Sequence, residues 1–191
     1  MTKFYTKYSS DQISKIGNTI IYLANSIKDI SKTKTLKLLY ILDELSIRKS
    51  GIPFLNLRYK VWKFGPVAED IFIELSSSPT LLKGYIERKP TIDGKTFLNP
   101  LKEFNDDEFS ENDIGLLDFV ISRFGNKTAL ELVSYTHRKK APWHNTAKHN
   151  SILELLENGE INNTDFIIDF SELVSHDSRK KEMYEDYLAH N

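Results

Sequence analysis

The sequence predicts a mostly helical α+β fold, a compact helical domain carrying a small antiparallel sheet or hairpin. Three observations predict it. Apolar residues recur at helical spacing in several separate stretches, the first being Ile13, Ile16, Ile20, Leu23 and Ile27. Three of these stretches open on a capping-box pattern: Ser9 with Gln12, Ser110 with Asp113, and Thr128 with Glu131. Two short segments instead carry strand chemistry, an aromatic and β-branched run within residues 54–64 and a pair of stretches either side of Asp93-Gly94.

Ser9 is expected to cap the first helix, whose apolar stripe faces a core while Lys15, Asn18, Asn25 and Lys28 lie elsewhere around it. A polar link, Ser31-Lys32-Thr33-Lys34, leads to a second helix. That helix reads Leu36-Lys37-Leu38-Leu39-Tyr40-Ile41-Leu42-Asp43-Glu44-Leu45. Being apolar almost all round, it is expected at the centre of the core, with Gly51 and Pro53 ending it. Leu57, Tyr59, Val61, Trp62 and Phe64 then suit a strand. Gly65-Pro66 should break it, the proline serving as first residue of a helix through Val67, Ile71, Phe72 and Leu75.

Asp93-Gly94 predicts a hairpin between strands near 85–92 and 95–98. After an acidic link over residues 103–113, Ile114, Leu117, Ile121 and Phe124 mark a helix closed by Gly125. Leu130 and Val133 belong to the next, and Pro142 starts a short one at Trp143-His144. A helix near 147–157 stopped by Gly159, and a charged tail helix from about 171 to 188, complete the chain. No internal repeat or low-complexity segment divides it, so residues 1–191 are read as a single domain.

Composition removes several function classes. A formal net charge of −1 offers no global field for nucleic acid or an anionic membrane. The absence of cysteine excludes disulfides and thiolate metal sites, which points to a reducing, cytoplasmic setting. The first eight residues hold no unbroken apolar stretch of the kind an export leader carries. The apolar runs at 20–24 and 38–42 are far short of the roughly 20 residues that span a bilayer. The expectation is a cytoplasmic protein with no membrane partner.

Two blocks of sequence carry a family resemblance. The first holds Lys37–Asp43, then Gly51-Ile52-Pro53, then Tyr59-Lys60-Val61-Trp62-Lys63-Phe64-Gly65-Pro66-Val67. The second holds 116–125, then Leu130, Leu132, Thr136-His137 and Pro142-Trp143. Together they resemble the Panacea domain of the SocA-like antitoxins over roughly residues 33–145, leaving 146–191 as a helical extension. The resemblance implies a bacterial antitoxin that binds and neutralises a toxin, usually one encoded by the adjacent gene, with a place in toxin–antitoxin systems and phage defence. It implies no cofactor. It also implies that the residues of the motif, namely Tyr40, Asp43, Gly65, Pro66, His137 and Trp143, form scaffold. Homo-oligomerisation and a role as an accessory in proteolysis stay open at this point.

Individual residues support two readings each. Trp62 and Trp143, the only tryptophans, suit core packing or an interface anchor. Tyr59 and Trp62 would face opposite ways on a strand, so only one need be core. On that ground Tyr59, Trp62 and Phe64 are the toxin-binding candidates. Asp43 interrupts an apolar helix and must lie at its surface or be buried with a partner, for which His137 is the natural choice. Such a pair would lock two helices in register. The alternative is a hydrolase using His137 with Asp43 or Glu131, although no nucleophile elbow or catalytic cysteine accompanies them.

His137, His144 and His149 lack the spacing of a zinc motif, so no metal is expected. Backbone amides after Gly65-Pro66 could cradle an anion if a helix begins there, but no glycine-rich loop accompanies them. Arg138-Lys139-Lys140 and Arg179-Lys180-Lys181 are short basic clusters, read as solvated helix ends and not as a nucleic-acid surface.

Overall fold

A computed structural model describes residues 8–190 and gives a mostly helical chain with two antiparallel hairpins. The N-terminal stretch read above as too polar for an export leader lies outside the described residues, apart from Tyr8. In chain order come α1 (Ser10–Ser26), α2 (Lys32–Ser50), β1 (Tyr59–Trp62), β2 (Gly65–Ala68), α3 (Glu69–Glu74), β3 (Ile86–Pro90) and β4 (Thr96–Pro100). Then follow α4 (Glu111–Phe124), α5 (Ala129–Thr136), α6 (Pro142–His149), α7 (Leu153–Glu157), a 3₁₀ turn (Ser171–Leu173) and α8 (Ser178–His190). No helix among the described residues is long and apolar enough to cross a membrane.

α2 is the centre of the molecule. Every residue from Thr35 to Glu44 is buried, because α4, α5, α8 and both hairpins pack around it. Its N-cap is Ser31, whose hydroxyl accepts from the Lys34 amide, so the predicted polar link is mostly first helical turn. Its C-terminus ends at Gly51 with φ +80, where a Cβ would run into the carbonyl of Lys180. The capping boxes at Ser9, Ser110 and Thr128 all form, each with both reciprocal bonds.

A helix buried all round must also bury its polar residues, and its two carboxylates each find specific partners. Asp43, 1% exposed, accepts from the amides of Leu55 (2.6 Å), Asn56 (3.1 Å) and Leu57 (3.3 Å) and from the Tyr59 hydroxyl (2.7 Å). Glu44 accepts from Arg48 at 3.1 Å and is paired with Arg138 on the far side. Arg138 is therefore a buried carboxylate's partner and not a solvated helix end.

The Asp43 bonds explain why the strand is shorter than the 54–64 run. Residues 55–57 turn their amides onto a carboxylate and cannot give them to a ladder. The strand that remains pairs Tyr59 with Ala68, Lys60 with Val67, Val61 with Pro66 and Trp62 with Gly65, leaving Lys63-Phe64 as a two-residue turn. Gly65 and Pro66 thus open a return strand and not a helix, and α3 begins only at Glu69. Gly65 sits at φ +94, a conformation that only glycine adopts without strain.

The outer edge of β1 is covered by the C-terminal extension. The Val61 amide donates to the Phe166 carbonyl (2.9 Å), Lys63 to Asn162 (2.8 Å) and Ile168 to Tyr59 (2.8 Å). The second hairpin is the one expected at Asp93-Gly94, and it leans on the α1–α2 junction through the Leu98 amide and Ile30 carbonyl. Two expected helices are broken. Ser151 at φ +56 separates α6 from α7, and the tail begins as a 3₁₀ turn before α8 starts at Ser178.

Candidate protein-binding groove

The β1–β2 hairpin projects its turn away from the core. Phe64, at its tip, is 66% exposed. Trp62, half-buried, lies edge-to-face with Phe72 of α3 at 5.2 Å between ring centroids. Lys32, at the start of α2, places its ammonium 4.7 Å from the centre of the Phe72 ring and donates to the Ser76 hydroxyl at 3.1 Å. These side chains, with Leu36, Lys37, Val67, Asn162 and Asn163, line a groove of about 370 Å³. No carboxylate is among its lining residues.

Tyr59 does not belong to this surface. It was expected there with Trp62 and Phe64, but its side chain is 1% exposed and its hydroxyl donates to Asp43. The alternation along β1 sends Tyr59 and Val61 inward and leaves Trp62 half-open, so one member of the Tyr59/Trp62 pair is core. Tyr40 packs edge-to-face on Tyr59 at 5.1 Å and shares its burial.

The hairpin is clamped from beneath. Trp143, buried in α6, donates its indole N–H to the Trp62 carbonyl at 3.0 Å. The buried ammonium of Lys37 donates to the Pro66 carbonyl at 2.9 Å. A Cβ on Gly65 would lie 2.8 Å from Thr136 Oγ1, 3.1 Å from Lys37 Nζ and 3.3 Å from His137 Nε2. Glycine at 65 thus permits both the turn and the close approach of α2 and α5.

His137 is not the partner of Asp43. Four donors already saturate that carboxylate, whereas the His137 ring stacks on Trp143 with centroids 3.7 Å apart and its Nε2 has no hydrogen-bond partner. Burial, reinforced by Lys37 and then His144, lowers the His137 pKa to about 4. Burial alone brings Lys37 down to about 7. It also raises the Asp43 pKa, against the pull of its amide and hydroxyl donors.

Glu131 lies on the surface, engaged with Thr128 and Lys127 in its capping box. Asp43, Glu131 and His137 therefore serve three separate sets of contacts, and the structure does not assemble the catalytic group weighed from the sequence. Because no helix starts at Pro66, the suggested anion cradle is absent too. Among the described residues no cluster of histidine and acidic side chains has metal-site geometry.

A wider cleft of about 650 Å³ lies between α6 and α7, bordered by Lys139, Lys140, His144 and Lys148 but also by Glu154. Its one apolar wall is Leu153, whereas the hairpin groove combines three aromatic rings with apolar floor. Large rings desolvated on association dominate protein interfaces, and of these two hollows the hairpin groove has the lining that suits a protein partner.

A family model described as antitoxin SocA-like, Panacea domain, matches residues 36–144, more than half of the chain. The chain belongs to the SocA-like antitoxin family. No curated protein and no solved structure matches it. The Panacea domain so delimited contains α2 from Leu36 onward, both strands of the hairpin, Phe72 and the Trp143 clamp, and leaves Lys32 and Asn162 outside. Its membership supports an antitoxin role and a toxin as partner in general, and points away from an enzyme.

Lys32, Lys37, Phe72 and Asn162 escaped sequence reasoning. For Lys37 a signal was present, a lone cation within the same apolar helix that made Asp43 conspicuous.

Proposed function

We propose that this protein neutralises a cognate toxin by stoichiometric binding, covering or deforming the toxin's active site, with the Trp62–Phe64 hairpin as the recognised surface. The observation that carries this reading is Phe64, a large ring left 66% exposed at the end of a clamped hairpin in a chain of an antitoxin family. An exposed aromatic beside a preformed aromatic groove is how interfaces concentrate binding energy. A standard interface of about 800 Å² per partner would extend well beyond the groove. Residues 1–191 act as one unit in the cytoplasm, since the extension beyond 145 pairs with β1 and supplies a wall of the groove. The toxin is the product of the adjacent gene.

The test is growth rescue. The adjacent gene is induced in a naive bacterium with and without this chain. Arrest relieved by the chain, with the two proteins co-purifying at equal stoichiometry, supports the reading. Toxicity without rescue or complex contradicts it.

A further inference from the structure

We infer that the toxin segment seated in the hairpin groove carries a carboxylate beside its apolar anchor, the carboxylate pairing with Lys32 and Lys37. The inference rests on the antitoxin reading and names the chemistry of the partner at that site.

The groove is aromatic and cationic but contains no acid. Nearby cations behave differently: Lys60, on the same hairpin, is taken by Glu69 at 2.5 Å and Asp165 at 2.6 Å. Lys32 reaches only a serine hydroxyl and the face of Phe72. Lys37 is 2% exposed, and its ammonium has one acceptor, the Pro66 carbonyl, for three donors. Among the described residues neither lysine has a carboxylate partner.

An unpaired buried ammonium is costly, and a methionine would fill the same space without that cost. A partner carboxylate, desolvated as the groove closes, would supply the missing charge through strong charge-assisted bonds. The three rings of Trp62, Phe64 and Phe72 take the neighbouring apolar side chain. Aromatic rings with lysines also suit single-stranded nucleic acid, whose bases stack and whose phosphates pair. The site favours protein: about 370 Å³ holds one or two side chains, and the chain's net charge of −1 supplies no long basic track.

The experiment measures affinity for the purified product of the adjacent gene by titration calorimetry, alongside the melting temperature of each variant. Lys37→Met also gives up the bond that clamps the Pro66 carbonyl. It is expected to bind at least about tenfold more weakly, and its melting temperature shows how much of that loss comes from a loosened hairpin. Lys32→Glu should lose at least as much, and reversing one acidic residue of the toxin to lysine should restore it. If Lys32→Glu and Lys37→Met bind like the wild type while Phe64→Ala does not, the groove stands and the carboxylate is wrong. If the wild type forms no complex, the antitoxin reading falls and the inference with it. Binding of an oligothymidylate that Lys32→Glu abolishes would overturn the inference in favour of nucleic acid.

Discussion

Trp143 donates its indole N–H to the backbone carbonyl of Trp62 at 3.0 Å, joining the only two tryptophans of the chain. One is buried in α6 and the other lines a surface groove, so the bond ties the core to the hairpin turn that carries Phe64. Lys37 and Gly65 hold the same turn from the α2 and α5 sides. The hairpin is consequently a preorganised surface, which lowers the ordering cost of binding.

Trp143→Phe keeps a ring against His137 but removes the bond to Trp62. It should destabilise the protein by about 1 kcal/mol, the typical net worth of one hydrogen bond. Chemical denaturation measures this, and a stability equal to wild type would mean that water replaces the indole.

Arg138→Ala leaves the Glu44 carboxylate, fully buried in α2, with Arg48 alone. Removing one partner of a buried pair typically costs about 3–5 kcal/mol. Because Arg138 is itself one-third exposed, the lower end is expected. Arg138→Lys should recover only part of the loss, as a point charge cannot reproduce the guanidinium fork.

Two groups should each contribute stability that grows with pH, His137 between about 4 and 6.5 and Lys37 between about 7 and 10.5. The His137 pKa falls on folding from 6.5 to about 4, and that of Lys37 from 10.5 to about 7. In both windows the unfolded chain binds more protons than the folded one, so raising the pH favours folding. The Lys37 part of the gain spans pH 7 to 10.5 and should vanish in Lys37→Met. Melting curves of the two proteins across that range check the sign, and parallel pH profiles would contradict it.

His137→Ala separates scaffold from chemistry. Loss of a ring stacked on Trp143 should cost about 1 kcal/mol and leave growth rescue intact. A fully folded His137→Ala protein that no longer rescues would revive a catalytic role for the imidazole.

The helices and their starts were legible because capping is local. A serine or threonine and an acid or amide three residues on suffice, and all three boxes form. The centre of the core was equally readable in the apolar run of α2. Gly65-Pro66 was not, because proline suits both a helix start and the edge of a strand, and Lys63-Phe64 carries no turn signal of its own. Asp43 was rightly singled out, but its donors come from the loop and first strand residue only 12–16 residues later and not from a distant histidine. Of the groove, Trp62 and Phe64 were visible as an aromatic run. Phe72, Lys32 and Asn162 joined it through tertiary packing, which spacing along the chain does not encode.

The central claim is that the exposed hairpin turn grips the toxin. Phe64→Ala tests it most directly, because a side chain 66% exposed can be removed at a cost within about 0.5 kcal/mol of stability. Trp62→Ala is its companion, with circular dichroism to establish that the fold remains. The measurement is the affinity of Phe64→Ala for the product of the adjacent gene. An unchanged melting temperature with binding weakened at least about tenfold is the predicted result. Wild-type affinity in the folded variant would contradict the claim and move the contact surface elsewhere on the protein.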